Sequence, residues 1–365
     1  MVPGVTSVQV TVGSFDGRTS SARIRVANES YEVAISCRVP LRPPSNLGDT
    51  WTLLGLLAAM RTGSTLVVDA PLSPTLAARL PQVQAILATW FDELHHVSVV
   101  APVGRLRAPR RRTTAQFFTG GVDSFATLRR HPEVEALLYI HDQVHDTAEV
   151  RSRVHDMLAT VARDSGKRLV EFDYDVRSFL DRYAEWGTQS HGLTLAAVAA
   201  LTAGEFATVL LPATHTYRDL LPWGSHPLLD PLLSGDEQEI VHDGADLTRL
   251  AKLALIADDP VAMANLRVCW KAVHELNCSR CEKCLRTMIA LTIVGAANRA
   301  TTFDGTVDPA EVRDLEILND SDLAFTVENR DAAAKAGMTE IADALRLAVE
   351  RYHLASHGGT DRPPA

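Results

Sequence analysis

Two glycines, an acid and a hydroxyl lie together at residues 117–124, FFTGGVDS, between an apolar strand and the start of a helix. Glycines let the backbone approach an anion closely, and the first amides of a helix, with its dipole, favour negative charge. Ser124 adds a donor, and Asp123 beside phosphate makes sense if it holds Mg²⁺ or orients the loop. The segment is a candidate phosphate site, although a strand-to-helix turn capped by Asp123 would use the same residues.

Four of the five cysteines fall close together, at the spacing Cys269-x8-Cys278-x2-Cys281-x2-Cys284. Closely spaced thiolates on turns can converge on a tetrahedral ion, and four of them leave no open position for a substrate. We therefore expect a structural Zn²⁺ site that clamps the C-terminal helices onto a sheet. An iron–sulfur cluster could use the same four thiolates, and the spacing does not decide between the two.

The glycine segment resembles the Ser-Gly-Gly-x-Asp-Ser signature of the PP-loop ATP pyrophosphatases, with Thr119 where serine is usual. The resemblance implies a parallel sheet wrapped by helices, of the adenine nucleotide alpha-hydrolase or HUP-like type. It implies that ATP is split between its α and β phosphates and that AMP passes to a substrate oxygen. Catalytic roles would fall on Asp123, with Mg²⁺, and on Ser124. Phosphate contacts would come from the loop residues Thr119, Gly120, Gly121, Val122 and Ser124.

The loop and the cysteine spacing together are similar to those of the 7-cyano-7-deazaguanine synthase family, whose members convert a carboxylate to a nitrile with ATP and ammonia. The similarity covers about residues 113–294. It implies ATP, Mg²⁺ and structural Zn²⁺ as cofactors. It also implies a ligase that forms AMP and pyrophosphate while adenylating a small carboxylate or amide for attack by ammonia or another nucleophile. A kinase-type Gly-Lys-Ser/Thr loop does not occur, which argues against an ADP-forming P-loop enzyme.

Polar residues follow the fourth strand predicted after residue 112, where open α/β sheets bind ligands. We expect Thr214 beside ATP, His215 near the reacting group and Arg218 against phosphate or a substrate carboxylate, although an ordinary solvated loop has the same composition. His191 precedes a buried helix and is either a nucleotide contact or a packed side chain. His141 follows the second of these strands, where the resemblance implies adenosine binding through backbone groups.

Composition and charge limit the class of protein. The chain has 365 residues and a net charge of -9, which makes nucleic acid and anionic lipid unexpected partners. Its longest apolar stretch, residues 193–213, is interrupted by Gly204 and Glu205 before reaching the roughly 20 residues of a membrane span. Without a recognisable secretion signal, a cytoplasmic location is expected. Expected partners are a small-molecule acceptor and ammonia or a separate nitrogen donor; a homodimer is left open.

Periodicity predicts four units along the chain. They are a small α+β domain with an Arg-rich linker (1–112), a PP-loop domain with the zinc knuckle (113–300), a helical extension (301–355) and a disordered tail (356–365). Residues 5–39 indicate antiparallel hairpins, whereas strands and helices alternate after the linker, as in an α/β protein with a parallel sheet. We expect Pro81 to interrupt the helix that begins after Ser73, and a further helix over residues 245–257.

Two other functions fit the same motifs. A PP-loop sulfur transferase that modifies tRNA needs redox-active cysteines, and only Cys37 lies outside the predicted metal cluster. The negative net charge also counts against tRNA as a substrate. A non-catalytic nucleotide-binding scaffold would keep the fold and the zinc knuckle but lose turnover, whereas Asp123 and Ser124 are both present here.

Overall fold

The computed structural model describes residues 7–104, 106, 113–142, 147–271 and 274–357. Most of the predicted Arg-rich linker and most of the predicted tail lie outside the described residues. The linker arginines outside them are Arg105, Arg107, Arg110, Arg111 and Arg112.

The strands of the described residues form one ten-stranded sheet in the order β10-β9-β6-β7-β8-β3-β2-β1-β4-β5. Their bounds are β1 Ser7–Val12, β2 Thr19–Val26, β3 Glu29–Cys37, β4 Thr65–Val68, β5 Val99–Val100, β6 Thr114–Phe117, β7 Val134–Asp142, β8 Arg168–Tyr174, β9 Thr208–Pro212 and β10 Glu239–Asp243. The five strands from β6 to β10 are mutually parallel. The prediction of an α/β protein with a mostly parallel sheet is confirmed.

The first three strands form the antiparallel hairpins expected from their alternating pattern. These strands do not form a separate sheet, because β3 pairs antiparallel with β8, with Cys37 opposite Phe172. At the other edge of the hairpins, β1 pairs parallel with β4, and β4 pairs parallel with β5. Strands from both sides of the predicted boundary at residue 112 therefore belong to one sheet.

Helices cover both faces of the sheet. Buried residues of α1, α2 and α6 form one core, and those of α3, α4, α7 and α8 form the other. The last three helices pack with α9 beyond the sheet. The bounds are α1 Gly48–Thr62, α2 Pro74–Trp90, α3 Val122–Arg130, α4 Ala148–Asp164, α5 Arg177–Leu180, α6 His191–Leu201, α7 Arg249–Ile256, α8 Pro260–Asn265, α9 Glu282–Ile293, α10 Pro309–Arg313, α11 Asp320–Lys335 and α12 Thr339–His357.

Two helix predictions are wrong in detail. Helix α2 continues through Pro81, which lies on its exposed side, because the flanking Leu80 and Val83 are buried and packing offsets one lost hydrogen bond. Helix α7 begins at Arg249 rather than at residue 245, because the Thr248 side chain accepts a hydrogen bond from the Ala251 amide and caps the helix there. In the described part of the chain, no helix has both the length and the apolar character to cross a bilayer.

Candidate anion site and metal centre

The order of the parallel strands gives the sheet a topological switch point. From β6 the chain moves outward to β7 and β8, and it then returns to the other side of β6 to form β9 and β10. The switch point lies between β6 and β9, and open α/β sheets bind ligands outside the carboxyl ends of the strands at such a point. Residues 119–121 follow β6, and Thr214 and His215 follow β9. The two predicted loops therefore lie at this position together.

The loop after β6 requires glycine at position 120. Gly120 has a φ of 77°, and a Cβ atom there would lie 2.7 Å from Cε of Met157. Its carbonyl accepts a hydrogen bond of 2.7 Å from the Arg267 amide, so the segment before the cysteines packs on the loop. A side chain at this position would have to adopt an unfavourable backbone conformation and displace Met157.

Helix α3 begins at the loop with glycine at its N-cap. Gly121 occupies that position, and no side chain of the described residues accepts a hydrogen bond from the first amides of the helix. The Ser124 hydroxyl donates to the Gly121 carbonyl at 2.9 Å, and the Gly121 amide donates to Oγ1 of Thr119 at 3.4 Å. Thr119 and Ser124 thus hold the loop in shape, and the helix N-terminus favours an anion.

Asp123 is paired with two cations that sequence reasoning did not identify. Nζ of Lys252 lies 2.9 Å from Oδ1 of Asp123, and Nη1 of Arg249 lies 3.4 Å from Oδ2. Lys252 also donates to the Ala213 carbonyl at the end of β9, which ties α3, α7 and β9 together. Burial opposes the charged form of Asp123, but the two cations outweigh it and hold the pKa of this carboxyl below its usual value.

Arg286 brings a third buried cation to the site. Only 5% of its side chain is exposed, and burial together with the neighbouring Arg249 lowers its pKa to about 10. Among the described residues, Nη1 of Arg286 and Nε of Arg249 have no hydrogen-bond partner. Glu282 lies 3.2 Å from Nε of Arg286, yet burial raises the pKa of Glu282 and weakens it as a counterion. Buried unpaired donors of this kind are costly unless an anion occupies them.

Helix α11, within the predicted C-terminal extension, positions Arg286 and closes one side of the site. The Arg286 guanidinium lies 4.2 Å from the centroid of the Phe325 ring, and Asn329 donates to the Arg286 carbonyl at 2.9 Å. His215 stacks on the same Phe325 ring, with centroids 5.8 Å apart. Burial lowers the pKa of His215 to about 4; the negative charge of Asp123 opposes this shift, and the charges of Lys252 and Arg286 add to it. The imidazole is therefore neutral at pH 7.

The other predicted site residues are Thr214, His191, Arg218 and His141, and the structure gives each a different environment. Thr214 is half-buried between Ala213 and His215 at the end of β9. His191 lies one ring away from His215: the Trp223 ring is 6.0 Å from the His191 ring and 5.3 Å from the His215 ring. The Arg218 side chain is 92% exposed, and its Nε lies 3.9 Å from Oδ1 of Asp219. His141 is fully buried and bonds to Glu171 through Nε2 at 2.7 Å.

The four predicted cysteines converge on one point. Their sulfur atoms all lie within 4.8 Å of one another, and three of the pairs are 3.5, 3.7 and 3.9 Å apart. Four thiolates around one Zn²⁺ at about 2.3 Å would stand roughly 3.8 Å apart, so the cluster fits a tetrahedral ion. Sulfur contacts within it lower the pKa of Cys281 to about 5. The cluster could therefore hold a metal ion, as the spacing predicts.

The cysteine cluster lies at the start of the helix that carries Arg286. Cys281 is the N-cap of α9, and Cys284 lies in its first turn. Lys283 lies between these cysteines and Arg286 lies one turn later, and burial together with the charges of Arg286 and Arg249 lowers the pKa of Lys283 to about 7. A metal in the cluster would fix the helix end that presents these cations.

The sequence does not identify these cations because they lie on helices that are distant from the glycine loop in the chain. Arg249 and Lys252 lie three residues apart on one face of α7, and this spacing was the one signal for them. Arg286 follows the last cysteine by two residues, and Phe325 had no distinguishing signal at all. Packing of α7 against α3, and of α9 and α11 against α7 and against each other, brings these residues to the region of Asp123.

No protein-family model, curated protein or solved structure matches this chain.

Proposed function

We propose that the chain is an ATP-dependent enzyme that forms AMP and pyrophosphate while adenylating a small carboxylate or amide for attack by ammonia or another nucleophile. One observation carries the proposal: a glycine-rich helix N-terminus lies beside two buried arginines, and within the described part of the chain the helix has no side-chain cap and some of the arginine N–H groups have no partner. Charge-assisted hydrogen bonds to phosphate oxygens would satisfy these donors. A triphosphate is the ligand class that can contact both the amides at the start of α3 and the buried arginines.

The sheet supports membership of the PP-loop pyrophosphatases. Numbered from the loop-bearing strand, the five parallel strands lie in the spatial order 3-2-1-4-5, which doubly wound nucleotide-binding folds share. We interpret the second half of the chain as a HUP-like domain on this basis, with a four-cysteine Zn²⁺ site as in the 7-cyano-7-deazaguanine synthase family. The N-terminal strands extend the same sheet beyond β8 and lie far from the switch point.

The proposed roles follow from the contacts. The amides of α3 and the side chains of Arg286 and Arg249 bind the phosphates, while Thr119 and Ser124 keep the loop in its binding conformation. Asp123 would hold Mg²⁺, which neutralises phosphate charge and favours departure of pyrophosphate. Without Mg²⁺, Lys252 and Arg249 neutralise Asp123. When Mg²⁺ pairs with the carboxylate, the two cations become available to the phosphates. The neutral His215 offers a hydrogen bond without adding charge.

The cysteines favour this proposal over the sulfur-transferase alternative. A sulfur carrier needs an accessible thiol that ionises readily. Cys37 is only 5% exposed, and burial raises the pKa of its thiol. The other four cysteines are committed to the metal cluster in our proposal. A catalytically inactive scaffold would keep the anion site, so turnover, not binding, separates that alternative from an enzyme.

Asp123→Asn is expected to change triphosphate binding in opposite directions with and without Mg²⁺. Without added Mg²⁺, tripolyphosphate should bind the variant about tenfold more tightly, or by about 1.4 kcal/mol, because Lys252 and Arg249 lose their competing carboxylate. With Mg²⁺, ATP should bind the variant more weakly than wild type, because the metal loses a ligand. Isothermal titration calorimetry measures both affinities.

A matched control for this prediction is Asp331→Asn, which removes an exposed carboxylate of α11 outside the site. It should leave both affinities at the wild-type values. If Asp123→Asn weakens tripolyphosphate binding without Mg²⁺ as strongly as it weakens Mg²⁺-ATP binding, Asp123 does not compete for the cations and the proposed arrangement is wrong.

A further inference from the structure

A tryptophan beside the metal cluster is unusually exposed for its type. Trp270 follows Cys269 directly, and 73% of its surface is accessible to solvent. Nζ of Lys283 lies 3.8 Å from the centroid of its ring, so an ammonium group covers one face. The exposure leaves the opposite face of the indole open.

Two anchors hold Trp270 close to the glycine loop. Three residues earlier, the Arg267 amide bonds to the Gly120 carbonyl at 2.7 Å. The Cys269 amide bonds to Oδ1 of Asn277 at 3.2 Å, and the Cys269 thiol belongs to the cysteine cluster. Three residues of chain span at most about 11 Å, so Trp270 lies within that distance of the residue that packs on the loop.

Lys283 connects the indole ring with the cationic site. It lies three residues before Arg286 on α9, and residues at this spacing share a helix face. Its ammonium group contacts the Trp270 ring, so the ring packs on the helix that carries Arg286. The indole thus lies beside the first turn of α9, one turn before the buried arginine of the proposed phosphate site.

We propose that Trp270 stacks the planar base of the nucleotide whose phosphates bind at Arg286 and Arg249. This inference rests on the proposed function and adds a base subsite to it. The base lies on the open face of the indole, opposite Lys283. Stacking on an aromatic ring is tolerant of base identity, so Trp270 supplies affinity for a nucleotide over a bare polyphosphate, not a choice between bases.

The test compares ATP with tripolyphosphate on wild type, Trp270→Ala and Trp270→Phe by calorimetry. Wild type should bind ATP about tenfold more tightly than tripolyphosphate, the gain expected from one stacked base. Trp270→Ala should bind ATP no more tightly than tripolyphosphate, with tripolyphosphate affinity unchanged. Trp270→Phe keeps an aromatic ring and should retain most of the preference for ATP.

The outcomes separate this inference from the proposed function. Metal content measured for each variant shows that the neighbouring cysteine cluster is intact. Undiminished ATP affinity in Trp270→Ala, or an equal loss for ATP and tripolyphosphate, overturns the base subsite while the phosphate site stands. Absence of tripolyphosphate binding to metal-loaded wild type overturns the proposed function itself, and the base subsite with it.

Discussion

Arg286→Met is expected to weaken tripolyphosphate binding at least a hundredfold without lowering the stability of the protein. The guanidinium presents a buried N–H with no partner among the residues that the structure describes, and hydrogen bonds between charged groups contribute about 1.5–3 kcal/mol each. Losing two such bonds to a phosphate corresponds to about 3 kcal/mol or more. Methionine fills a similar volume against the Phe325 ring, and it removes a buried cation whose hydrogen bonds are incomplete.

Stability and affinity are measured together, by thermal unfolding with and without tripolyphosphate. The variant should unfold at or above the wild-type temperature, and added tripolyphosphate should no longer raise that temperature. Glu282 loses its partner in this variant, but its raised pKa lets it take up a proton. The matched control is Arg346→Met, at a half-exposed position of α12. If Arg286→Met unfolds at a lower temperature than wild type but keeps its affinity for tripolyphosphate, Arg286 stabilises the fold and does not bind the ligand.

Cys284→Ser is expected to release the metal, destabilise the C-terminal helices and remove tripolyphosphate binding together. A serine hydroxyl is a poor replacement for a thiolate ligand, and structural Zn²⁺ sites contribute folding free energy directly. Cys284 lies in the first turn of α9, two residues before Arg286. Loss of the metal should therefore free the helix end that carries the buried arginine.

Metal analysis of the purified proteins checks this expectation, with calorimetry on the same samples. Wild type should contain one metal ion per chain if Zn²⁺ is bound, and Cys284→Ser none. Visible absorption distinguishes an iron–sulfur cluster, because Zn²⁺ has no redox or d-electron transitions. Cys37→Ala serves as the control, since it removes a buried cysteine on β3 outside the cluster. Full metal content and unchanged affinity in Cys284→Ser would mean that the cluster neither holds the metal nor supports the site.

The sequence predicts the local elements of this protein better than their long-range partners. Alternation on β1 to β3 and the strand–helix order after residue 113 identify the elements, because each depends on residues close in sequence. The pairing of Cys37 with Phe172 joins distant strands, and no local pattern encodes it. The continuation of α2 through Pro81 likewise depends on packing of Leu80 and Val83 against the core.

The same limit applies to the candidate site. The glycine loop and the four cysteines are predictable because their residues are contiguous or evenly spaced. Arg286, Lys252 and Phe325 reach the site from three different helices, so only the folded structure brings them together. His215 and Arg218 are three residues apart in one polar loop, yet His215 is buried on Phe325 while Arg218 points into solvent.

The most direct test of the account is the fate of ATP itself. Metal-loaded protein is incubated with Mg²⁺, ammonium, pools of small carboxylates and amides, and ATP labelled separately at its α and γ phosphates. The α label is expected in AMP and the γ label in pyrophosphate, and neither product is expected with Asp123→Asn. Label released as ADP and inorganic phosphate, or intact ATP with every acceptor pool, would contradict an AMP-forming enzyme.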